Sequence, residues 1–227
     1  MSEWWTYTLA DFLLFSPRTY YRLVELYNLA IWPAQLAGMA VGLAIVALLF
    51  AKRGRRDRIL AGLLAACWLW IAWAFHYQRY AQINWTAPWF AAAFAIQAGL
   101  FVVLGVFAGR LEFRPRIGRD RWVATSLVGI AVLGYPLLAP LAGRQWTTAE
   151  VFGVAPDPTA IGSVAAMVLV HGRIRWLLLA VPLLWCAIAA ATLGAMGAPE
   201  AVVVAGMGLL ALLLAARGTR EGQVATR

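Results

Sequence analysis

The sequence feature that most constrains the fold is a run of eighteen mostly apolar residues, 59–76, that directly follows the basic segment KRGRRDR at residues 52–58. At roughly 1.5 Å per helical residue, such a run reaches about 27 Å, close to the thickness of a bilayer's hydrocarbon core. The preceding segment carries five cations, whereas the segment YQRY that follows the run carries one. The positive-inside rule therefore predicts a membrane crossing that begins in the cytoplasm.

Composition extends this interpretation to the whole chain. Hydrophobic residues make up 63% of the 227 residues and charged residues 13%, so the chain is too apolar for a soluble domain. In a soluble protein a net charge of +9 would suggest an acidic partner such as nucleic acid. Here the cations lie in short loops beside apolar segments, which is typical of topology signals. We therefore expect an integral membrane protein in contact with the lipid bilayer and with no nucleic-acid partner.

Seven apolar segments lie along the chain, at about residues 29–51, 59–76, 88–109, 122–143, 159–170, 176–197 and 199–216. The fifth has only twelve residues, too few to cross a bilayer alone, and its length suits a re-entrant hairpin as well. If it crosses, fifteen of the nineteen Lys and Arg residues lie inside. The sequence therefore predicts an all-α bundle of seven transmembrane helices, with the amino end outside and the carboxyl end in the cytoplasm.

The amino-terminal residues contain charges too closely spaced for a crossing. Ser16 followed by Pro17 is typical of a helix start, with the cap and then a first-turn proline. The helix that follows has an apolar face suited either to lying on the membrane or to packing on the bundle. Its residues are Tyr20, Tyr21, Leu23, Val24 and Tyr27. Pro33 is expected to kink the first crossing or to restart it near its outer end.

These assignments divide the chain into three parts. They are an interfacial amino-terminal segment with an amphipathic helix, a seven-helix transmembrane domain and a cytoplasmic tail, at residues 1–28, 29–217 and 218–227. Two glycine pairs of the GxxxG type favour close helix contacts, either within the chain or with a partner. They are Gly38 with Gly42 and Gly105 with Gly109.

The opening MSEWWTY, the run FSPRTYYRL with the WPAQ that follows it, and the segment FGVAPDPT form a set of motifs. Together they resemble an uncharacterised family of bacterial integral membrane proteins, domain of unknown function 6064. The resemblance covers most of the chain and implies a multi-pass membrane protein, but it carries over no activity. It also implies a cysteine between two prolines where this chain has Asp157, so thiol chemistry at this position is not carried over.

Cofactor chemistry finds little support in the sequence. His76 and His171 are predicted at opposite ends of the membrane, so they cannot ligate one haem iron within a protomer. Cys67 and Cys186 lie within apolar segments, where a soft-metal pair and a role as apolar filler are the alternatives. Lys52, the single lysine, lies in a loop, which excludes a retinal Schiff base in a crossing. We predict no cofactor, no metal and no catalytic residue.

The best candidate site lies at the outer end of the second crossing. His76, Arg79 and Tyr80 share one face of a helix at positions i, i+3 and i+4, where they can hold an anionic or polar ligand. Further polar residues in the outer half or near the middle are Asn84, Gln97 and Tyr135. The alternative is that these side chains bond to one another and reach the interface.

Asp157 lies between two prolines just before the short fifth segment. At a helix start beside a cavity, its carboxylate can bind a cation. The alternative is that Asp157 is a helix N-cap with a proline at the first helical position. No carboxylate is predicted near the middle of the membrane, which argues against proton coupling.

The predicted function is the binding or transport of a small polar or anionic solute through an outward-facing cavity. The alternative is a non-catalytic subunit or assembly factor of a larger membrane complex, with other chains or further copies as partners. A membrane enzyme or redox protein is a third hypothesis. The predicted location is the inner membrane of a bacterium, as a multi-pass protein.

Overall fold

Helices form the regular structure of the chain. The computed structural model describes residues 13–51, 55–113 and 119–224, with side chains described except at 119–121 and 218–224. The α-helices are α1 (Pro17–Ala30), α2 (Ala34–Phe50), α3 (Arg56–Trp70), α4 (Ala87–Leu100), α5 (Arg119–Gly129), α6 (Leu138–Leu141), α7 (Pro156–Met167), α8 (Ile174–Ala195) and α9 (Glu200–Val224). Within these ranges the only β-type pairing joins Phe113 and Val170.

Five continuous helical stretches are long and apolar enough to cross a membrane. They are Arg56–Gln82, Ala87–Phe107, Trp122–Leu141, Ile174–Ala195 and Glu200–Arg217. A sixth is counted if the bent pair Pro17–Ile31 and Ala34–Phe50 forms one span. The structure thus confirms a helical protein with several helices able to cross a membrane.

Three of these stretches change their helical geometry along their length. The α-helices α3, α4 and α5 continue as wider π-helical turns at Ile71–Tyr77, Phe101–Phe107 and Ile130–Gly134. Such turns shift the side chains that follow them away from α-helical spacing. The first of these turns contains His76 and precedes Arg79 and Tyr80, so it sets the positions of three predicted site residues.

Helices α1 and α2 meet at an elbow of 89°. Ser16 caps α1 by accepting a hydrogen bond from the Thr19 amide, and Pro17 occupies the first turn, which confirms the predicted start. The helix breaks before Ala34, so Pro33 restarts the helix as predicted.

The apolar face of α1 packs on the protein. Four of its five predicted residues are buried, namely Tyr20, Leu23, Val24 and Tyr27. Near the carboxyl end of α1, Asn28 Nδ2 donates hydrogen bonds to the carbonyl oxygens of Thr147 and Ala149 at 2.8 and 2.9 Å. Helix α1 is therefore attached to the loop between α6 and α7.

All twelve residues of α7 are buried, so this helix forms the centre of the bundle. Phe152, just before it, fills a space that glycines leave open. A Cβ on Gly38 would lie 2.5 Å from the Phe152 carbonyl oxygen, and one on Gly162 would lie 2.6 Å from the Phe152 ring. Gly42 meets the same ring and Val132. The predicted pair Gly38 and Gly42 thus makes a close contact inside the chain.

The second glycine pair is also used internally. Gly105 packs against the Cβ of Ala61, which lets the helices of the second and third predicted crossings approach closely. Gly109 has a φ of +62° and ends its helical stretch in a left-handed conformation that favours glycine. Both pairs therefore contribute to the packing or the ends of this chain's own helices.

Candidate functional site

Asp157 is the centre of the candidate site. Only 2% of its surface is exposed, and its carboxylate accepts hydrogen bonds from Trp185 Nε1 at 2.8 Å and from the Tyr135 hydroxyl at 3.2 Å. Ala155, in extended conformation, is the residue that precedes the first turn of α7, and it is followed by Pro156. Asp157 therefore lies within the first turn.

The N-cap role predicted for Asp157 is therefore wrong. The physical reason is that the helix begins two residues earlier, with Pro156 as its first residue, which leaves the Asp157 side chain free to accept hydrogen bonds from Tyr135, just before α6, and from Trp185 of α8. A carboxylate in the first turn of a helix is stabilised by the helix dipole.

A small cavity lies beside the Asp157 carboxylate. We call it the acid–aromatic chamber, and its lining residues are Tyr20, Phe75, Tyr80, Asp157, Trp185, Ile188, Ala189, Thr192 and Leu193. Its volume is about 10 Å³, room for roughly one water molecule. Its walls come from four elements: α1, the helical stretch Arg56–Gln82 that begins with α3, α7 and α8.

Aromatic rings form one side of the acid–aromatic chamber. The ring centre of Tyr80 lies 6.3 Å from that of Tyr20 and 5.8 Å from that of Phe75. Phe15 covers both tyrosines, at 5.9 Å from Tyr20 and 5.7 Å from Tyr80. The carboxylate of Asp157 thus faces a chamber whose other walls are largely aromatic and aliphatic.

A second cavity of about 10 Å³ adjoins the first and shares Leu193 with it. We call it the adjoining chamber, and its lining residues are Tyr21, Tyr135, Leu138, Ala139, Arg144, Thr148, Glu150, Leu193 and Glu200. Arg144 pairs with Glu200 and donates to the Tyr21 hydroxyl at 3.2 Å. Tyr135, which lines the adjoining chamber, donates its hydrogen bond to Asp157 of the acid–aromatic chamber and so links the two cavities.

Glu150 connects the adjoining chamber to α1. The Tyr20 hydroxyl donates to Glu150 Oε1 at 3.0 Å, and Oε2 is shielded from solvent without a hydrogen-bond partner among the described residues. Burial first, and then the charge of Asp157, raises the pKa of Glu150 well above its ordinary value of 4.5. The hydrogen bond from Tyr20 and the charge of Arg144 act in the opposite direction.

The two chambers together are lined by more acidic than basic residues. Their described lining contains three carboxylate residues, Glu150, Asp157 and Glu200, and one cationic residue, Arg144. Because Arg144 is already paired with Glu200, it offers little compensation to Asp157. The electrostatics of the site therefore favour a positively charged or hydrogen-bond-donating group over an anion.

Three of the predicted site residues come together here, namely Tyr80, Tyr135 and Asp157. His76 lies behind the acid–aromatic chamber, fully buried, with its ring 4.4 Å from that of Phe94 and 4.8 Å from that of Trp185. Neither of its ring nitrogens has a hydrogen-bond partner in the described part of the chain.

Other predicted residues lie elsewhere. Arg79 is partly exposed and is absent from the described lining of both chambers. Asn84 accepts hydrogen bonds from the amide and hydroxyl of Thr86 and so organises the turn before α4. Gln97 Nε2 donates to the Leu178 carbonyl at 3.0 Å and ties α4 to α8.

Sequence reasoning did not select Tyr20, Glu150 or Trp185 as site residues. Tyr20 was predicted only as part of the apolar face of α1, and Glu150 only as one of the carboxylates that lie away from the middle of the membrane. Trp185 carried a usable signal, because an indole in the middle of an apolar segment, away from the interface, needs a buried acceptor for its N–H. That acceptor is Asp157.

Metal and thiol chemistry gain no geometric support from the described residues. Within them, no three His, Cys, Asp or Glu side chains converge as a metal site would require. Cys67 and Cys186 are buried free cysteines. Cys67 packs near Gly153, whereas Cys186 packs near Gly208. The two thiols thus occupy different packing environments.

The fold and this site define a helical protein that has several helices able to span a membrane and a buried carboxylate at its centre. The chain belongs to the family of unknown function DUF6064, which matches residues 18–226. This match confirms the family indicated by the sequence motifs. Comparisons with curated proteins and with solved structures found no match.

Proposed function

We propose that this protein binds a small polar solute in the acid–aromatic chamber and carries it across a membrane. The observation that carries the proposal is the carboxylate of Asp157, buried beside a cavity inside a bundle of membrane-compatible helices. An ionisable group in such a position is costly and is usually retained for a ligand, an ion or a proton.

The Asp157 carboxylate also accepts two hydrogen bonds within the protein, which could serve stability alone. Two donors and the amino end of α7 offset part of the cost of burying the charge. They do not account for a cavity at the carboxylate or for its aromatic walls. A binding site explains the bonds and the cavity together.

We also infer that α7 completes a seventh crossing, with the amino end of the chain outside and the carboxyl end in the cytoplasm. Twelve residues reach only about 18 Å as a helix. Residues 151–155 before α7 are buried in the bundle, and Val170 after it pairs with Phe113. Irregular backbone is tolerated at membrane depth when protein surrounds it, so these flanks can complete the crossing.

Labelling from the two sides of the membrane tests this topology. A probe attached to the loop at residues 144–148 is expected to react from outside, and one attached after residue 217 only from the cytoplasm. Reaction of both probes from the same side contradicts the seven-crossing inference.

In this orientation the site opens outward past α1. Tyr20 forms one wall of the acid–aromatic chamber and is held by Glu150 of the outer loop. Because the acid–aromatic chamber has room for about one water molecule, a larger solute requires this wall to move. The elbow between α1 and α2 is a suitable hinge.

The proposal is tested with the full chain in lipid nanodiscs and in proteoliposomes. A panel of neutral, cationic and anionic solutes is screened for an increase in melting temperature, and each solute that binds is then tested for uptake. We expect a stabilising solute whose effect is lost in Asp157→Asn, a variant that keeps the shape of the side chain. Binding or uptake that is unchanged in this variant contradicts the proposal.

A different function, as a subunit of a larger membrane complex, is favoured by one surface. A groove of about 350 Å³ lies between α8 and α9 and is lined mainly by small and aliphatic residues. Grooves of this kind admit a partner helix. This function predicts that other polypeptides co-purify in a fixed ratio.

A further inference from the structure

We propose that the solute is a small organic cation, an ammonium compound whose charge is met by Asp157 and whose alkyl groups lie against aromatic rings. This inference rests on the function proposed above and names the solute class of the same site. Three features of the acid–aromatic chamber carry it: the carboxylate, the rings and the absence of a competing cation among the described lining residues.

The rings supply a surface that an ammonium group prefers to water. A cation is attracted to the face of an aromatic ring when it lies within about 6 Å of the ring centre, and more strongly at desolvated sites. Tyr20, Phe75 and Tyr80 line the chamber, and the ring centre of Tyr80 lies 6.3 and 5.8 Å from those of the other two. All three rings line the chamber, so a cation that enters after the wall at Tyr20 has moved, as proposed above, still lies beside Phe75 and Tyr80.

The carboxylate sets the sign of the charge. Asp157 accepts from the indole of Trp185 and the hydroxyl of Tyr135, both neutral donors, so its negative charge has no formal counter-ion in these bonds. Among the described lining residues of the acid–aromatic chamber, none is Lys, Arg or His. An anionic solute would be repelled by Asp157, and a neutral one would leave its charge uncompensated.

The walls also indicate an alkylated ammonium rather than a metal ion. The remaining lining includes the aliphatic side chains of Ile188, Ala189 and Leu193, and Thr192 adds one hydroxyl. A metal ion prefers several oxygen ligands at about 2.0–2.6 Å, whereas alkylammonium groups suit one carboxylate and apolar walls. The chamber has one carboxylate and mostly apolar walls, as an alkylammonium group requires.

Isothermal titration of the full chain in nanodiscs tests the inference with solutes matched in shape. The cationic probe is (2-hydroxyethyl)trimethylammonium. The neutral probe has a tert-butyl group in place of its trimethylammonium group, and the anionic probe is a carboxylate of similar size. We expect the cation to bind about tenfold or more tightly than the neutral probe, and the anion not to bind.

Variants of two residues separate charge from ring contact. Asp157→Asn is expected to weaken binding of the cation about tenfold or more. Tyr80→Phe keeps the ring and is expected to bind nearly as well as the wild type, whereas Tyr80→Leu loses the ring and binds several-fold more weakly. Because the Tyr80 pair does not depend on Asp157, the inference stays testable if Asp157→Asn fails to fold. The control is Glu25→Gln, which removes a carboxylate of α1 outside both chambers.

The possible failures are distinguishable. Binding of the neutral or anionic probe that depends on Asp157 overturns the organic-cation inference and leaves the proposed function standing. Equal affinities for the cation and the neutral probe, or equal effects of Tyr80→Phe and Tyr80→Leu, also overturn it. If no solute of any class in the wider panel binds, the proposed function itself fails.

Discussion

At the scale of single residues, we expect the buried Glu150 to make the stability of this protein depend on pH. Its pKa in the folded protein is raised above the ordinary value of 4.5, mainly by burial. Between the unfolded and folded pKa values the folded state holds the extra proton, so the free energy of unfolding falls as the pH rises. The slope is at most about 1.4 kcal/mol per pH unit.

We expect Glu150→Gln to flatten this dependence. The stabilising contribution of Glu150 is fully present below pH 4.5 and is lost as the pH rises through the folded pKa. Glutamine cannot titrate but keeps an oxygen that accepts the Tyr20 hydrogen bond. Melting temperatures measured between about pH 5 and pH 9 should therefore fall for the wild type and fall less for the variant.

The comparison needs a carboxylate that lacks this environment. Glu25, which pairs with Arg22 at 2.7 Å on the partly exposed side of α1, is the matched control, and Glu25→Gln should follow the wild-type curve. Parallel curves for Glu150→Gln and the wild type would contradict a raised pKa at Glu150.

Residue type and helical spacing predicted part of the site. Tyr80 and Tyr135 were selected as polar groups of the outer half and Asp157 as a carboxylate at a helix start, and all three are among the lining residues of the two chambers. The spacing that joined Arg79 to this set assumed a regular α-helix. Because of the π-helical turn Ile71–Tyr77 and the end of the helix after it, residues 76, 79 and 80 do not have α-helical spacing. No local sequence pattern predicts such a turn.

At the scale of helices and loops, hydropathy located most elements within a few residues. The crossing predicted at residues 122–143 corresponds to Trp122–Leu141, and the one at 176–197 to Ile174–Ala195. The length of each apolar run determines these bounds, so they can be predicted from the sequence. Rotation about each helix axis depends on contacts, and for that reason the role of Phe152 between three glycines was not predictable.

Gly162→Ala should show how tightly Phe152 fixes α7. An added Cβ would lie 2.6 Å from the Phe152 ring in a fully buried helix, so we expect a loss of about 1–3 kcal/mol in the free energy of unfolding. Gly129→Ala on α5 is the control, because a Cβ there meets no described atom within 4 Å and should stabilise the helix by about 0.5–1 kcal/mol. Equal stabilities in denaturant titrations of the two variants would contradict this packing.

Asn28 should control the loop that carries Glu150. Asn28→Ala leaves the carbonyl oxygens of Thr147 and Ala149 without their donor, which costs about 1–3 kcal/mol for buried groups. We expect faster amide hydrogen exchange at residues 144–151 and unchanged exchange in α8. Gln82→Ala, which removes an exposed bond to Gln78, is the control and should leave this loop unchanged. Unchanged exchange in Asn28→Ala would show that other contacts hold the loop.

At the scale of the whole molecule, the charge pattern and the buried helix α7 both bear on the number of membrane crossings. Hydropathy alone counts five spans, or six with the bent pair, because α7 is too short. Charge alone needs a crossing there, since Arg173, Arg175 and the basic tail otherwise lie outside, on the face opposite to the other basic loops. A short helix with no exposed residue, flanked by buried irregular backbone, satisfies both requirements.

The native mass of the protein, extracted gently from its own membrane, separates the two proposed functions. Gly38 and Gly42 were predicted as a possible contact for a partner, but they pack against Phe152 of the same chain. A self-contained site beside Asp157 needs no second polypeptide. We therefore expect a mass at a multiple of 24.8 kDa plus lipid and detergent. Other polypeptides in a fixed ratio would contradict this expectation and would favour the groove between α8 and α9 as the surface that holds them.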